Sequence, residues 1–265
     1  AVQEFQKRGV NVVQLNPQNE FFSSNNYPTC LWKGDDAVTF VRDYLGPEME
    51  KAGNPAEIYF GTMNGAGMRE GWDLHKGFNH YANNVMMDRK ARKYVKGFAY
   101  QWEGKDAVAR TKQAYPEMPI VQSENECGNG QNTYDYAMYV FELLRHYITS
   151  GVESYVYWNM VLENNEGRST WGWKQNSLFT VDPVAKTYRI NPEYWVMRHF
   201  AQFVREGDRM IRLGGHWNGN AVAFAGRKVC KVVVMNPFNR VETVVIEGKA
   251  FDLPPRSFNT MIFSR

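Results

Sequence analysis

Residues 97–124 read GFAYQWEGKDAVARTKQAYPEMPIVQSE, and this stretch decides the fold class. The apolar run at 97–102 predicts a buried strand, residues 105–114 predict a helix, and a second apolar run follows at 119–121. A strand, a helix and another strand in that order are typical of a parallel sheet with right-handed crossovers. The stretch therefore predicts an α/β protein in which strands and helices alternate.

The same alternation extends outward over most of the chain. Strands are predicted at 10–15, 57–61, 97–102, 120–121 and 152–158, and helices at 1–9, 35–53, 88–95, 105–114, 134–150 and 192–204. These make five strand–helix units, whereas a closed parallel barrel needs eight. The chain therefore contains either an open α/β sheet or a barrel whose first three units are absent from this sequence.

After Gly207 the pattern changes to short runs with alternating polarity. They lie at 210–213, 221–225, 230–235, 241–246 and 260–263, and turn residues separate them. Runs of this kind are typical of antiparallel sheets packed as a sandwich. We therefore predict a partial barrel domain over residues 1–206 and part of a β-sandwich domain over residues 207–265.

Composition excludes several classes of function. The chain has 265 residues, of which 43% are hydrophobic, so it can bury a large core. Its 31 basic and 28 acidic residues are interspersed, which gives nucleic-acid binding little support, and no apolar run is long enough to span a membrane. Cys30, Cys127 and Cys230 lie far apart and are predicted to be buried free thiols, and no metal-ligand spacing is present.

Two acidic segments follow predicted strands. Gln18-Asn19-Glu20 follows the first strand, and Ser123-Glu124-Asn125-Glu126 follows the fourth. Active sites of parallel barrels are built where the strands end, and retaining hydrolysis of a glycoside requires two carboxyl groups about 5 Å apart. Glu20 can supply one of them, while spacing does not choose between Glu124 and Glu126 for the other. The alternative for each segment is an acidic turn that caps the next element.

Six stretches, in order along nearly the whole chain, resemble glycoside hydrolase family 30, which has glucosylceramidase-like and β-1,6-glucanase-like members. They are VVQLNPQNEF (12–21), NNYPTCLW (25–32), GFAYQWEGK (97–105), PIVQSENECG (119–128), YVYWNMVLENN (155–165) and MRHFAQFVREG (197–207). The resemblance implies the last five units of a (β/α)8 barrel followed by a β-sandwich side domain. The family's first three strands have no counterpart here.

The resemblance also implies roles for the two carboxylates. The family carries its acid/base in an Asn-Glu-Pro motif on the fourth strand and its nucleophile in a Thr/Ser-Glu motif on the seventh. Glu20 and Glu124 occupy these positions, and Glu124 is favoured over Glu126 because it directly follows Ser123. Phe21 replaces the motif's proline, a departure that bears on substrate identity.

Further side chains near these strand ends are candidates for binding substrate. An asparagine beside the acid/base can bind a sugar 2-hydroxyl, and aromatic faces can stack on sugar rings, although each tryptophan could instead be a core residue. Gln101 stands where many members of the family have a histidine. The candidates are Asn19, Tyr100, Gln101, Trp102, Trp158, Asn159 and Trp171, with Trp173 in the same loop as Trp171.

The resemblance implies a retaining β-glycoside hydrolase that acts on β-glucosides or β-glucans by double displacement, without a metal or cofactor. An endo-β-1,6-glucanase or xylanase of the same family and a non-catalytic carbohydrate-binding fragment remain alternatives. The expected partner is a carbohydrate substrate, and the missing strands are expected from a longer native chain or a second polypeptide. Family resemblance favours a secreted or periplasmic protein.

Overall fold

The computed structural model describes residues 2–25, 27–65, 81–164 and 170–265. The helices are α1 (Val2–Lys7), α2 (Gly34–Phe40), α3 (Gly46–Lys51), α4 (Tyr81–Met87), α5 (Lys105–Ala114), α6 (Tyr134–Thr149) and α7 (Pro192–Phe203). The first eight strands are β1 (Gln14–Leu15), β2 (Glu57–Met63), β3 (Val95–Gln101), β4 (Ile120–Glu124), β5 (Ser154–Tyr155), β6 (Val161–Glu163), β7 (Phe179–Asp182) and β8 (Thr187–Ile190). The remaining strands are β9 (Arg209–Ile211), β10 (Ala221–Ala225), β11 (Val229–Asn236), β12 (Glu242–Ile246), β13 (Lys249–Leu253) and β14 (Ser257–Ser264).

The chain divides into two compact units. The first comprises residues 1–126 and 150–156, and the second comprises residues 127–149 and 157–265. The predicted domain boundary at 206 stays a prediction.

The first unit contains a five-stranded parallel sheet in the order β1-β2-β3-β4-β5. This half barrel confirms the predicted α/β class. Its central strand β3 is buried at every residue except Lys96, as expected for a strand between parallel neighbours. The register aligns Phe98 with Ile120 and Gln101 with Glu124, so the polar ends of β3 and β4 meet at one edge of the sheet.

Helix α5 matches its predicted bounds because its sequence has one apolar face. Ala107, Val108 and Thr111 are buried, at a spacing that repeats along one side of a helix. A single 3-10 turn, Trp102–Gly104, separates α5 from the end of β3. The short connection fixes Trp102 at the edge of the sheet where β3 ends.

Three predictions in this unit are wrong in their placement, and one of them is the strand expected over 152–158, which is limited to Ser154–Tyr155. The helix expected at 88–95 lies earlier, as α4, because the Asp88 carboxylate accepts hydrogen bonds from the backbone N–H groups of Lys90 and Ala91 and forms a turn there. The first strand, expected over 10–15, is limited to Gln14–Leu15, and Val10 and Val13 are 50% and 63% exposed.

The second unit contains the predicted antiparallel structure. One sheet has the order β14-β11-β10-β9, and the β12–β13 hairpin packs against it through a shared core that includes Val232, Val244 and Leu253. Strand β13 is additional to the predicted runs. Helix α7 packs on β14 and β11, and α6 packs on α7.

A three-stranded sheet in the order β6-β7-β8 was not predicted. Its strands have three or four residues each, and β8 is exposed along its whole length, so they show no alternating pattern. β7 pairs in parallel with β6 and antiparallel with β8, and this arrangement forms a β-hairpin with one added strand. The predicted loop around Trp171 lies between β6 and β7.

All three cysteines are free, as predicted, but Cys30 is exposed and only Cys127 is buried. The indole N–H of Trp32 donates to the Cys30 sulfur, so this thiol belongs to a surface loop and not to the core. Among the described residues, no helix combines the length and the apolar character that crossing a membrane requires.

Candidate active site

The segment that follows β1 carries Asn19 and Glu20 to the end of β2. Backbone hydrogen bonds continue past β1, from Gln18 N–H to the Gly61 carbonyl (3.3 Å) and from Glu20 N–H to the Thr62 carbonyl (3.0 Å). Glu20 adopts a left-handed backbone with φ of 53°, which is uncommon for a residue other than glycine. The side chain is 7% exposed. The backbone conformation therefore places the buried Glu20 carboxylate at the ends of the parallel strands.

Three side chains donate hydrogen bonds to the Glu20 carboxylate. Gln101 Nε2 donates to Oε1 at 3.0 Å, and Ser23 Oγ and Tyr27 Oη donate to Oε2 at 2.6 and 3.0 Å. Asn64 Nδ2 in turn donates to Ser23 Oγ at 2.9 Å. A buried carboxylate needs such donors, because burial without them would be costly.

Glu124 ends β4 and has a different environment. The indole N–H of Trp102 donates to its Oε1 at 2.9 Å, and Trp102 also has a left-handed backbone, with φ of 49°. Burial raises the pKa of the Glu124 carboxyl to about 7, the negative charge of Glu20 adds to this rise, and the indole N–H opposes it. The two carboxyl groups are therefore close enough to influence each other electrostatically.

Gln101 joins the two carboxylate sites. Its Nε2 donates to Glu20, its Oε1 accepts from Ser123 Oγ at 2.8 Å, and its backbone is in register with Glu124. Its side-chain nitrogen also lies 3.3 Å from Asn19 Oδ1, which accepts from Thr62 Oγ1 at 2.8 Å.

The structure thus brings five of the predicted site residues together at one edge of the parallel sheet. They are Asn19, Glu20, Gln101, Trp102 and Glu124.

Glu126, the alternative to Glu124, is paired with a cation. Lys105 Nζ lies 2.9 Å from Glu126 Oε1, and both side chains are mostly buried. An ion pair of this kind compensates the Glu126 charge and gives this carboxylate a structural role. The contrast with Glu124, which has a neutral donor and a neighbouring carboxylate, favours Glu124 as the reactive residue.

Tyr100 is not part of this arrangement, contrary to its prediction as a substrate-binding residue. Successive side chains of a strand point to opposite faces, so Tyr100 points away from the side on which Gln101 lies. Its hydroxyl is 2.6 Å from Thr111 Oγ1 on α5, and the ring is 2% exposed. Tyr100 is a core residue between the sheet and α5.

The other predicted binding residues belong to the second unit. Asn159 Nδ2 donates to Gln175 Oε1 at 3.0 Å, and Trp171 is 48% exposed. Trp158 and Trp173 are both partly buried. Binding roles for these four residues remain predictions.

The hydrogen-bond pattern runs opposite to the roles that the family resemblance implies. Glu20, the expected acid, receives three donors that complement a charged carboxylate, whereas Glu124, the expected nucleophile, has one donor and a pKa raised to about 7. Because burial raises the pKa of Glu124 to about 7, this carboxyl can hold a proton near neutral pH. With Glu124 as the nucleophile, as the family resemblance implies, this proton would have to leave before the Glu124 carboxylate attacks the sugar.

Sequence reasoning missed the residues that support the carboxylates. Ser23 and Tyr27 lie in the polar loop after Glu20, and Thr62 and Asn64 lie at the end of β2. The available signal was polar residues at the end of a predicted strand. That signal shows where a site is possible but not which donor reaches which carboxylate.

The comparison with protein families decides the identity. The sequence profile described as the glycosyl hydrolase family 30 TIM-barrel domain matches residues 2–204. The chain belongs to this family. The match covers the whole parallel sheet and α7.

Two relatives have similar sequences over almost the entire chain. Putative glucosylceramidase 3 of Caenorhabditis elegans is 22% identical over 96% of this chain and 51% of its own length. The endo-1,6-beta-D-glucanase of Neurospora crassa is 23% identical over 94% of this chain and 52% of its own length. The chain therefore spans about half the length of these relatives.

Solved structures of the family have the same fold. The endo-beta1,6-glucanase BT3312 superimposes with a TM-score of 0.86 at 22% sequence identity, covering 100% of this chain and 61% of that one. A family 30 subfamily 8 xylanase from Clostridium acetobutylicum gives a TM-score of 0.73 at 15% identity, covering 98% of this chain and 68% of that one. At these identities the likeness concerns the fold.

Proposed function

We propose that this protein hydrolyses a β-linked glycoside with retention of configuration. The observation that carries the proposal is that Glu20 and Glu124, which follow β1 and end β4, lie at one edge of the parallel sheet and are linked through Gln101, which donates to Glu20 and accepts from Ser123 beside Glu124. Retaining hydrolysis needs such a pair. The predicted separation of about 5 Å between the carboxyl groups remains a prediction.

In the proposed mechanism, ionised Glu124 attacks the anomeric carbon while Glu20 protonates the departing oxygen. Glu20 then takes a proton from water, which releases the sugar from Glu124. Asn19 supports the first step because its amide nitrogen can donate to the sugar 2-hydroxyl while Thr62 and Gln101 hold its oxygen.

The specific alternative is an exchange of the two roles, which the donor pattern favours. Glu20, with three donors, would then be the nucleophile and Glu124, whose pKa is raised to about 7, would be the acid. Incubation with a 2-deoxy-2-fluoro β-glucoside, followed by peptide mass spectrometry, tests both assignments. We expect the label on Glu124. A label on Glu20 would establish the exchanged roles, and a label on Glu126 would overturn both.

We propose β-glucosides or β-glucans as the substrate class. Support comes from relatives named as glucosylceramidases and an endo-1,6-beta-D-glucanase. A β-1,4-xylan substrate is the family alternative, in view of the xylanase with the same fold. Parallel assays on an aryl β-glucoside, a β-1,6-glucan and glucuronoxylan would separate these possibilities. Activity confined to the xylan would contradict the glucoside proposal.

We also propose that β1 is paired on its second side in the functional protein. β1 has one partner, β2, among the described strands, and the neighbouring Val10 and Val13 are half or more exposed. An apolar segment without charges is atypical of a free sheet edge. In protein purified from its source, the backbone amides of Val10 and Val13 should be protected from hydrogen exchange. Unprotected amides at these two residues would contradict a further strand.

Export from the cytoplasm is proposed as well. The protein of the same fold described as a conserved exported protein from Bacteroides fragilis supports it, with a TM-score of 0.77 at 12% identity. Cell fractionation with an antibody against this chain is the test, and recovery confined to the cytoplasm would contradict export.

A further inference from the structure

A polar cavity of about 350 Å³ lies in the second unit, between the 130–132 loop and one face of the β6-β7-β8 sheet. Leu162, Thr180 and Arg189 are cross-strand neighbours on that face. Asn164 and Gln175 line the same cavity. Its size is at the lower end of the roughly 300–1,000 Å³ that is typical of small-molecule sites.

The wall behind this cavity consists of buried polar side chains. Asn176, Ser177, Asn191 and Glu193 are 1% exposed or less, and Gln175 is 5% exposed. Burying so many polar groups is unfavourable unless hydrogen bonds satisfy them, and an apolar core would hold the same segments together without that cost. A polar shell of this kind is what holds the groups of a binding site in place.

Asn191 fixes the sheet side of the cavity. Its Nδ2 donates to Thr180 Oγ1 at 2.8 Å and to the Ser177 carbonyl at 2.7 Å, and its Oδ1 accepts from Arg189 Nε at 3.0 Å. The hydrogen bond from Nε to a buried amide holds the Arg189 guanidinium beside this wall. Its terminal nitrogens are the donors that a ligand in the cavity would meet.

Asn176 fixes the loop side. Its Oδ1 accepts from the Gly130 N–H at 2.7 Å, and its Nδ2 donates to Glu193 Oε1 at 2.6 Å. Gly128 lies so close that a Cβ there would come within 2.6 Å of the Asn176 side chain, and its φ is 66°. Asn132 Oδ1 accepts from the Ser177 N–H at 2.9 Å and closes the connection between loop and sheet.

The charged residues around the cavity favour a neutral, hydroxyl-rich ligand. Glu163 and Asp182 line it together with Arg189, so its lining carries no net positive charge to attract a phosphate or carboxylate. Amide and guanidinium groups such as those of Asn164, Gln175 and Arg189 match the adjacent hydroxyls of a sugar as donors and acceptors. The Gln175 amide is also bonded to Asn159, so this lining is continuous with a predicted substrate-binding residue.

We propose that this cavity is a binding site for one or two neutral sugar units of an oligosaccharide, with Arg189, Asn164 and Gln175 as its recognition groups. The proposal rests on the proposed function, which it deepens by assigning a sugar contact to the hairpin of the second unit. It predicts that the protein prefers oligosaccharides to simple aryl glycosides.

Titration of the Glu124→Gln protein with gentiobiose, a β-1,6-linked disaccharide of glucose, tests the proposal by NMR. The side-chain amide signals of Asn164 and Gln175 report on the cavity, and those of Asn19 and Gln101 report independently on the carboxylate site. We expect saturable shifts of Asn164 and Gln175, and at least a tenfold weaker affinity at the cavity in Arg189→Ala and in Asn164→Ala. Arg198→Ala is the matched control, because Arg198 is an exposed arginine of α7 that bonds Gln202.

The two groups of signals separate failure of this inference from failure of the proposed function. Unchanged Asn164 and Gln175 signals at saturating gentiobiose, or equal affinity in the Arg189 and Asn164 variants, would overturn the cavity as a sugar site. Shifts caused by inorganic phosphate but not by gentiobiose would overturn it too. Shifts of Asn164 and Gln175, together with no glycosidase activity in the original protein that retains Glu124, would support the cavity while contradicting the proposed function.

Discussion

Among the described residues, each unit contains one glutamate whose pKa is raised to about 7, and in both Glu124 and Glu193 desolvation is the main cause. Their surroundings differ. Glu124 is partly exposed and is influenced by the charge of Glu20, whereas Glu193 is fully buried and bonds Asn176 through Oε1. Glu193 Oε2 has no hydrogen-bond partner within the part of the chain that the structure describes.

The difference teaches that a raised pKa does not by itself identify a catalytic carboxyl. Desolvation raises the pKa of any buried carboxyl, and structural networks produce the same shift as active sites. A second carboxylate nearby and access for a substrate are what distinguish Glu124. Glu193 instead supports Asn176 and, through it, the loop at Gly130.

Replacing each glutamate by glutamine should have the largest effect, a difference in kcat between a catalytic and a structural carboxyl. Glu124→Gln removes the proposed nucleophile, and we expect a loss of kcat on the order of 10⁴-fold or more, measured with an aryl β-glucoside. Glu193→Gln keeps an oxygen acceptor for Asn176, so its kcat should stay within about threefold of the original protein. Comparable losses in both variants would remove the distinction between a catalytic and a structural carboxyl.

Stability should show a pH dependence to which Glu193 contributes. Because the folded protein keeps the Glu193 proton up to a pKa of about 7 while the unfolded chain releases it near the ordinary value of 4.5, the unfolding free energy should fall as pH rises from 4.5 to 7. Above pH 7 this contribution is constant. Glu193→Gln should reduce the slope by up to roughly 1 kcal/mol per pH unit, measured by urea unfolding.

An unchanged slope in Glu193→Gln would mean that Glu193 is not protonated in the folded protein across this window. The Glu142→Gln variant is a suitable control, because Glu142 is an exposed glutamate on α6.

The smallest expected effect concerns the donor to Glu124. Trp102→Phe removes the indole N–H that opposes the pKa rise of Glu124, so the pKa should increase further. If ionised Glu124 is the nucleophile, the acidic side of the kcat profile should move to higher pH by up to about one unit, since a hydrogen bond to a charged group contributes roughly 1.5 kcal/mol when partly solvated. Trp195→Phe, at an exposed tryptophan of α7, should leave the profile unchanged.

A shift of the acidic side to lower pH in Trp102→Phe would contradict the role of the indole as a donor to the charged form. A shift confined to the basic side would instead indicate that Glu124 acts as the acid, in agreement with the exchanged roles.

The elements that sequence analysis located correctly are those with a strong local period. α5 and α6 have continuous apolar faces, and β3 is buried at every residue except Lys96, so their patterns alone indicate type and extent. The β6-β7-β8 sheet was not predicted because its strands have only three or four residues and β8 is exposed throughout, so no apolar period marks them. The predicted extent of β1 was too long because an apolar run does not show whether a neighbouring strand is present to pair with it.

The sequence by itself determined the α/β alternation, the antiparallel texture after Gly207 and the two segments that carry Glu20 and Glu124, since these depend on local order and residue type. Only the tertiary structure decided the environment of each carboxyl: three donors on Glu20, an indole on Glu124 and a lysine on Glu126. Such partners lie up to 81 residues apart in the chain, as Gln101 and Glu20 do. Local patterns carry no information on which side chains meet across that distance, because strand pairing and register bring them together.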